Sequence, residues 1–167
     1  QDVNVSVTNL NDNSPVVTSS ATFSVAENQT DVGIVSASDA DGDAIIYSIG
    51  GTDVASISIN SSSGVLTFTS VPDYESKITY SITATASDGV SFSNQSITIN
   101  ISDVNEYSPV FTSAASFSAA ENQTSIGSVT ATDADTSDTV TFSISGAELA
   151  ITSAGILTFA SAPDYET

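Results

Sequence analysis

Residues 77–102 read KITYSITATASDGVSFSNQSITINIS. Apolar side chains alternate with Ser and Thr through residues 78–86, and they alternate with polar residues again through 97–101. Because successive side chains of a strand point to opposite faces, this alternation predicts two strands that each bury one face. The Asp88-Gly89 pair between them is typical of a turn. This stretch therefore indicates an antiparallel β structure.

The segments on the N-terminal side of this stretch have the same character. Short alternating runs are separated by turn residues such as Ser61-Ser62-Ser63-Gly64. Seven such runs within one repeat are typical of a two-sheet Greek-key sandwich of the immunoglobulin-like kind. The predicted strands cover residues 16–25, 32–38, 45–49, 56–60, 65–69, 78–87 and 94–102.

The sequence also contains a second copy of itself. Ala26-Glu27-Asn28-Gln29-Thr30 recurs as Ala120-Glu121-Asn122-Gln123-Thr124, an offset of 94 (120 − 26). After a three-residue deletion, Pro72-Asp73-Tyr74-Glu75 recurs as Pro163-Asp164-Tyr165-Glu166, an offset of 91 (163 − 72). Recurrence along the whole overlap is the signature of a repeat architecture. The predicted fold is therefore all-β, with tandem seven-stranded Greek-key β-sandwiches.

The phase of the repeat predicts how the chain is organised. We expect a segment of a longer array, and the sequence leaves open whether the same chain or another copy supplies the missing strands. The predicted parts are the last strand of a preceding repeat at 1–10, a connector at 11–15, a complete repeat at 16–102, a second connector at 103–109, and a second repeat without its last two strands at 110–167.

The charge of the chain excludes several classes of function. It has one basic residue, Lys77, against 20 acidic residues, which gives a formal net charge of −19. Such a chain cannot neutralise phosphates, so we expect no nucleic-acid partner and no attraction to anionic membranes. No apolar run approaches the ~18 residues of a membrane span, so we expect no membrane insertion in this segment.

Catalysis is also disfavoured, and we expect no enzyme activity. The chain has no His and no Cys, and it lacks the G-x-S-x-G motif of serine hydrolases. The Asp73 and Glu75 pair could in principle act as a general acid and base. Its recurrence at Asp164 and Glu166 favours a structural role for the pair. Zinc is disfavoured because it prefers Cys and His ligands.

The carboxylates fall into groups near the ends of the repeats. Crowded carboxylates repel one another and raise one another's pKa, unless a cation binds them. Calcium is the natural candidate because it takes 6–8 oxygen ligands, mostly from carboxylates and carbonyls. The groups around the second connector are Glu27, then Asp73 with Glu75, then Asp103 with Glu106, then Asp133 with Asp135.

Five motifs in this order and spacing resemble the cadherin repeat family, and the resemblance covers nearly the whole chain. The resemblance implies extracellular β-sandwich repeats whose connectors bind calcium. The motifs are Asn9-Leu10-Asn11-Asp12-Asn13-Ser14-Pro15, Ala26-Glu27-Asn28, Asp39-Ala40-Asp41, Asp73-Tyr74-Glu75 and Ala86-Ser87-Asp88-Gly89. Two departures are visible: Asn9 stands where the family has Asp, and Glu106-Tyr107 stands where it has Asp-Asn.

By this resemblance, calcium ligands are expected at three places. The connector at 103–109 is expected to hold two or three ions, the first connector at most one, and the far end none unless another chain completes it. For the second connector the implied ligands are Glu27, Asp73, Glu75, Asp103, Asn105, Glu106, Asp133 and Asp135, with backbone carbonyls of Val104 and Tyr107. For the first connector they are Asn11, Asn13, Asp39, Asp41 and Asp88, and for the far end Glu121, Asp164 and Glu166.

The function expected from these features is a calcium-rigidified repeat, extracellular or on the cell surface. It would act as an adhesive stalk, a spacer or a filament building block, with neighbouring repeats or other copies as partners, including homophilic contact. Two alternatives stay open. One is a carbohydrate-binding module of a secreted polysaccharide-acting protein, although the chain has no Trp for a sugar platform. The other is a solvated acidic surface of the halophile kind. The few aromatic and basic residues favour a bacterial source.

Overall fold

A computed structural model describes residues 1–166 of the chain. It contains two compact units, Gln1–Val104 and Asn105–Thr167. The described residues form strands and loops, with a single turn of 3₁₀ helix at Val54–Ser56. The all-β class predicted from the alternating runs is confirmed.

Nine strands build the first unit. A four-stranded sheet has the order β2-β9-β8-β5, a three-stranded sheet has the order β3-β7-β6, and β1 pairs with β4. The strands are β1 (Val16–Val17), β2 (Thr22–Ala26), β3 (Asp31–Ile34), β4 (Ala37–Ser38), β5 (Ile46–Gly50), β6 (Ile57–Ile59), β7 (Val65–Phe68), β8 (Thr79–Ser87) and β9 (Phe92–Ser102).

The stretch that opened the sequence analysis forms the central hairpin of the larger sheet. β8 pairs antiparallel with β9, from Thr79 opposite Asn100 to Ser87 opposite Phe92. β2 lies parallel to β9 on the other side, with Phe23 beside Ile99. The inward apolar side chains of both strands are buried, as the alternation predicts.

Two predicted strands are each divided in the structure. Residues 16–25 form β1, which pairs with β4, and β2, which pairs with β9 in a different sheet. Residues 32–38 likewise divide into β3 and β4. The ladder between β3 and β7 is irregular between Asp31 and Gly33. These divisions let one segment of sequence join two sheets, and alternation alone does not reveal such a transfer.

The core of the first unit lies between its sheets. Leu66 and Ile99 are 0% exposed, and Phe68 packs edge-on against Tyr80 with ring centroids 4.9 Å apart. The Tyr47 hydroxyl accepts a hydrogen bond from the Ala37 backbone N–H at 3.0 Å, so this buried phenol is also satisfied. Apolar packing of this kind is independent of the acidic groups at the ends of the strands.

The second unit repeats part of this plan with five strands. β10 pairs with β12, and β11-β14-β13 forms a three-stranded sheet, matching β1-β4 and β3-β7-β6 of the first unit. In the described residues the second unit has no counterparts of β8 and β9. The segments that correspond to β2 and β5 therefore lack partners and form no strand. The strands are β10 (Val110–Phe111), β11 (Ser125–Ser128), β12 (Ala131–Thr132), β13 (Leu149–Ile151) and β14 (Ile156–Phe159).

Residues 1–10 form no strand. Their alternating apolar side chains are exposed, with Val3 at 82%, Val5 at 83% and Val7 at 94%. The assignment of this segment to a preceding repeat, and the other domain boundaries, stay predictions.

Candidate metal centres

Glu27 organises the acidic group at the C-terminal end of the first unit. It directly follows β2 and is only 2% exposed, although it carries a carboxylate. One carboxylate oxygen accepts the Tyr74 backbone N–H at 2.6 Å, and the other accepts the Val104 backbone N–H at 2.9 Å. Asn28 then turns the chain with a positive φ of 63°. Glu27 therefore fixes both a loop and the start of the connector.

Asp73 and Glu75 lie beside Glu27. Carboxylate oxygens of these three residues lie within 4.8 Å of one another. Asp73 accepts the Ser76 hydroxyl at 2.6 Å and the Glu75 backbone N–H at 3.1 Å. The hydrogen bond from Ser76 holds the pKa of Asp73 below its ordinary value. The structure thus brings together the predicted ligands Glu27, Asp73 and Glu75.

Glu75 has the opposite electrostatic environment. Desolvation raises the pKa of its carboxyl, although the residue is exposed, and the charges of Glu27 and Asp103 raise it further. A carboxylate held near two others without a cation is in an unfavourable state, because like charges disfavour ionisation. A bound cation would reverse this penalty.

A second acidic group lies at the opposite end of the first unit, where Asp41 accepts hydrogen bonds from the first connector. One Asp41 oxygen accepts the backbone N–H groups of Asp12 and Asn13 at 3.0 and 2.7 Å. The other oxygen accepts the Asn13 side-chain amide at 2.8 Å. These bonds, led by that from the Asn13 backbone, hold the pKa of Asp41 below its ordinary value.

Asp39 and Asp43 complete this group, with carboxylate oxygens within 4.8 Å of each other and of Asp41. One oxygen of Asp39, one of Asp43 and the side-chain oxygen of Asn11 are buried without a hydrogen-bond partner among the described residues. Burial, followed by the charges of Asp39, Asp41 and Asp88, raises the pKa of Asp43. Buried, unpartnered oxygens on acidic side chains are what a cation site requires.

Asp88, the remaining predicted ligand of this group, is engaged in its own turn. It accepts the Ser91 and Val90 backbone N–H groups at 2.6 and 2.7 Å, and the Ser91 hydroxyl at 2.8 Å. The Ser91 N–H bond is the main reason why the pKa of Asp88 is lowered. The charge of Asp88 still acts on Asp41 and Asp43. Its carboxylate oxygens, however, do not belong to the group whose oxygens lie within 4.8 Å of one another, which is Asp39, Asp41 and Asp43.

In the second unit, Asp135 binds the second connector through backbone N–H groups, as Asp41 binds the first. Asp135 is 0% exposed, and one of its oxygens accepts the backbone N–H groups of Glu106 and Tyr107 at 3.0 and 2.8 Å. The other Asp135 oxygen is buried with no hydrogen-bond partner among residues 1–166. Asp133 accepts the Asp135 backbone N–H at 3.2 Å, and the Asn105 amide donates to Asp138.

The two connectors therefore share the backbone part of their attachment, whereas the side-chain bond from Asn13 to Asp41 has no equivalent at Asp135 in the described residues. The pair of donors in the first connector, Asp12 and Asn13, corresponds to Glu106 and Tyr107 at the offset of 94, and Asp41 corresponds to Asp135. Because backbone N–H groups are the donors, the attachment survives the replacement of Asp-Asn by Glu-Tyr. The departure from the family motif is thus structurally neutral at these two hydrogen bonds.

The far end of the second unit repeats the acidic group formed by Glu27, Asp73 and Glu75 in the first unit. Carboxylate oxygens of Glu121, Asp164 and Glu166 lie within 4.8 Å of one another. Glu121 accepts the Tyr165 backbone N–H at 3.0 Å, as Glu27 accepts that of Tyr74. All three residues are exposed.

Sequence reasoning missed three acidic residues of these groups. Asp43 lies in the trio with Asp39 and Asp41, and its position two residues after Asp41 was an available signal. Asp12 supplies a connector N–H and corresponds to Glu106, so the repeat could have identified it. Asp138 bonds the Asn105 amide, and neither the motif nor the repeat points to it, because its counterpart at the offset of 94 is Ala44.

The comparisons with known proteins identify the family of the first repeat. Residues 21–102 match the family model of the cadherin domain. This repeat belongs to the cadherin family. The predicted family and the sandwich fold are confirmed, and acidic groups able to hold a metal lie at the ends of the repeat.

Mouse Protocadherin Fat 4 is 35% identical to this chain over 156 residues, which cover 85% of the chain and 3% of that protein. The chain thus spans a very small part of this much longer relative. The crystal structure of human Protocadherin-24 EC1-2 superposes with a TM-score of 0.80 at 20% identity, covering 95% of this chain and 82% of that one. The crystal structure of the human Desmocollin-1 ectodomain gives a TM-score of 0.72 at 26% identity, covering 93% of this chain and 35% of that one.

The donors of these groups fit calcium. They are carboxylate oxygens, with the amide oxygen of Asn11 beside one group, whereas the chain has no His, Cys or Met. Hard cations with flexible coordination prefer such oxygen sets. None of the described helices is long and apolar enough to span a membrane.

Proposed function

We propose that this chain is a non-enzymatic, calcium-rigidified segment of an extracellular adhesive array. The central support is Asp135. A fully buried carboxylate with one unpartnered oxygen is costly in a protein interior, and a metal ion is one of the few partners that removes the cost. The chain has a single basic residue, so a cation from solution is the remaining source of positive charge.

The order of the ligands along the chain explains how calcium would act. Glu27, Asp73, Glu75 and Asp103 belong to the first unit, and Asn105, Glu106, Asp133 and Asp135 belong to the second. One residue, Val104, separates the two sets in the sequence. An ion that takes oxygens from both sets would restrict rotation about the connector and convert a hinge into a rod.

The N–H donors prepare the carboxylates for this role. Each donor fixes a carboxylate oxygen in position but leaves other lone pairs for a metal. Preorganised ligands lose less conformational entropy on binding, which favours affinity. Binding to the folded form alone then stabilises it by mass action.

The adhesive and extracellular parts of the proposal rest on the family. Desmocollin-1, whose ectodomain is similar to this chain, supports an extracellular location. Repetition of such units sets reach, and many weak contacts along an array combine through effective concentration. We propose neighbouring repeats and other copies of the protein as partners.

Small-angle X-ray scattering with calcium and with EDTA tests the rod mechanism. Chelation should broaden the distribution of maximum dimensions, because the connector gains freedom. The Asp135→Asn variant should behave in calcium as the wild type does in EDTA. Asp31→Asn, which removes an exposed charge from β3, is the matched control and should respond to calcium like the wild type. Identical scattering of the wild type in both conditions would refute the mechanism.

Calcium titration by calorimetry gives the second measurement. Asp135→Asn should lower the affinity of the tightest site at least about tenfold, because calcium affinity follows ligand charge and number. Equal titrations of Asp135→Asn and Asp31→Asn would contradict the assignment of Asp135 as a ligand.

A further inference from the structure

Asp138 is an acidic residue near the second connector to which the proposed function gives no role. Its carboxylate accepts a hydrogen bond from the side-chain NH₂ group of Asn105, which lies 33 positions earlier in the chain. Asp138 belongs to none of the groups of three close carboxylates in the described residues. The bond therefore joins Asp138 to a proposed calcium ligand, Asn105, rather than to an acidic group.

An asparagine that binds calcium must present the correct half of its amide. The side-chain amide has an oxygen on one branch and an NH₂ group on the other. Calcium takes oxygen ligands, whereas the NH₂ group carries a positive partial charge and repels a cation. Half a turn of the amide exchanges the two branches. An exposed asparagine therefore binds a cation well only where another group fixes its orientation.

The carboxylate of Asp138 selects one orientation of the Asn105 amide. An ionised carboxylate only accepts hydrogen bonds, so it can pair with Nδ2 of Asn105 but not with Oδ1. The bond holds the NH₂ branch at Asp138 and leaves Oδ1 available to a cation. Asp133, another proposed ligand, lines the same polar pocket of the second unit as Asn105 and Asp138. The selected orientation is thus the one that calcium binding requires.

The loop that carries Asp138 also holds the backbone of the connector. The Asp138 backbone N–H donates to the Asp135 carbonyl oxygen at 3.0 Å, which closes a tight turn. The Asp135 carboxylate accepts the backbone N–H groups of Glu106 and Tyr107. These two residues directly follow Asn105. One short loop therefore fixes the connector backbone through Asp135 and the neighbouring side chain through Asp138.

The first connector has the corresponding asparagine but lacks this acceptor. At the offset of 94, Asn11 corresponds to Asn105 and Ala44 corresponds to Asp138. Alanine has no side-chain acceptor, and the adjacent Asp43 belongs to a group of close carboxylates instead. The orienting bond therefore distinguishes the second connector from the first.

From this geometry we infer that Asp138 is a positioning residue, which orients the Asn105 amide so that its oxygen faces a calcium ion at the second connector. Asp138 acts through Asn105 and does not itself bind the ion. The inference rests on the proposed function, because it concerns the same connector. It adds a residue that lies outside the ligand set expected from the family.

Calcium titration of the whole chain by calorimetry tests the role of the acceptor. Asp138→Leu and Asp138→Asn remove the same charge, but only the asparagine keeps an acceptor oxygen. Because groups that hydrogen-bond a metal ligand contribute to metal affinity, Asp138→Leu should bind calcium about threefold to tenfold more weakly than Asp138→Asn. Glu148→Gln, which removes an exposed charge elsewhere in the second unit, is the control and should stay within about twofold of the wild type.

The same pair of variants in an Asn105→Asp background separates positioning from direct ligation. A carboxylate at position 105 offers oxygen on both branches, so its orientation no longer matters. In this background the Leu and Asn variants of Asp138 should bind calcium within about twofold of each other. A difference that persists would overturn the inference, because a direct ligand or a purely structural residue is needed in both backgrounds.

Nuclear magnetic resonance in EDTA measures the bond without calcium. The side-chain NH₂ protons of Asn105 should exchange with water faster in Asp138→Leu than in the wild type, because a hydrogen bond protects them. Glu148→Gln should leave this exchange unchanged. Equal exchange in Asp138→Leu and the wild type would overturn the inference. A wild type that takes up no calcium would refute the proposed function as well, whereas a wild type that binds calcium, with equal affinities of Asp138→Leu and Asp138→Asn, would refute this inference alone.

Discussion

Glu27→Gln tests the proposed calcium ligand of the group Glu27, Asp73 and Glu75 that is most buried, with the smallest change of side-chain shape. The wild-type carboxylate is 2% exposed and accepts two backbone N–H groups, at 2.6 and 2.9 Å. The amide of Gln has one acceptor oxygen, so its NH₂ group must face the N–H of Tyr74 or Val104. One buried donor is left unsatisfied, which costs about 1–3 kcal/mol of unfolding free energy without calcium.

Calcium should separate the variant from the wild type further. At a free calcium concentration of 100 times the dissociation constant, a ligand that binds only the folded form adds about 2.7 kcal/mol to the unfolding free energy. For a unit of about 100 residues this corresponds to a rise in melting temperature of about 10–20 °C. With one ligand charge removed, Glu27→Gln should show less than half of this rise.

Thermal unfolding by circular dichroism, with calcium and with EDTA, measures both effects. Glu121→Gln is the matched control, because the residue stands in the same Ala-Glu-Asn-Gln-Thr motif but is exposed. It should keep nearly the full calcium-dependent rise. If Glu27→Gln and Glu121→Gln respond alike, or if the wild type gains nothing from calcium, then the assignment of Glu27 is wrong.

Two further perturbations test the fold rather than the metal. Gly64 has a φ of +70°, and a Cβ there would lie 2.1 Å from the Val35 carbonyl oxygen, whereas a Cβ at Gly89, with a φ of +93°, would meet nothing within 4 Å. Gly64→Ala should therefore lose more than about 3 kcal/mol in urea unfolding and Gly89→Ala about 1–2, and equal losses would contradict the clash. The second perturbation is Lys77→Met. Because Lys77 lowers the pKa of Asp53, the stability from this pair is full above the unfolded pKa of ~3.9 and is lost as pH falls through the lower folded value. The difference in urea midpoint between wild type and Lys77→Met should hold from pH 7 to about 4 and shrink below it, and a constant difference down to pH 2.5 would refute the reasoning.

The sequence alone determined the strands and their repetition. Alternation in residues 78–86 and 97–101 predicted β8 and β9, because period-two burial is a local property of a strand between solvent and core. The recurrence of the Glu27 and Asp73 motifs fixed the repeat, and the order of motifs identified the family. The sequence also predicted that Glu27, Asp73 and Glu75 belong to one acidic group.

The arrangement of sheets did not follow from sequence. Residues 16–25 look like one strand, but they serve two sheets, since β1 pairs with β4 and β2 with β9. The choice depends on partners that lie 20–22 positions away in the chain for β1 and 76 positions away for β2. No sequence pattern within residues 16–25 shows where the chain passes from one sheet to the other.

The state of the acidic side chains was likewise decided by the tertiary structure. Glu27 meets the N–H of Tyr74 across 47 positions and that of Val104 across 77. Such contacts turn a motif residue into a buried carboxylate with fixed geometry. The sequence supplied the charges, and the fold decided which of them are held by N–H donors, which lie crowded together, and which single carboxylate the chain's only cation neutralises. The physical reason is that hydrogen bonds and Coulomb interactions act at a few ångströms in space, whatever the separation along the chain.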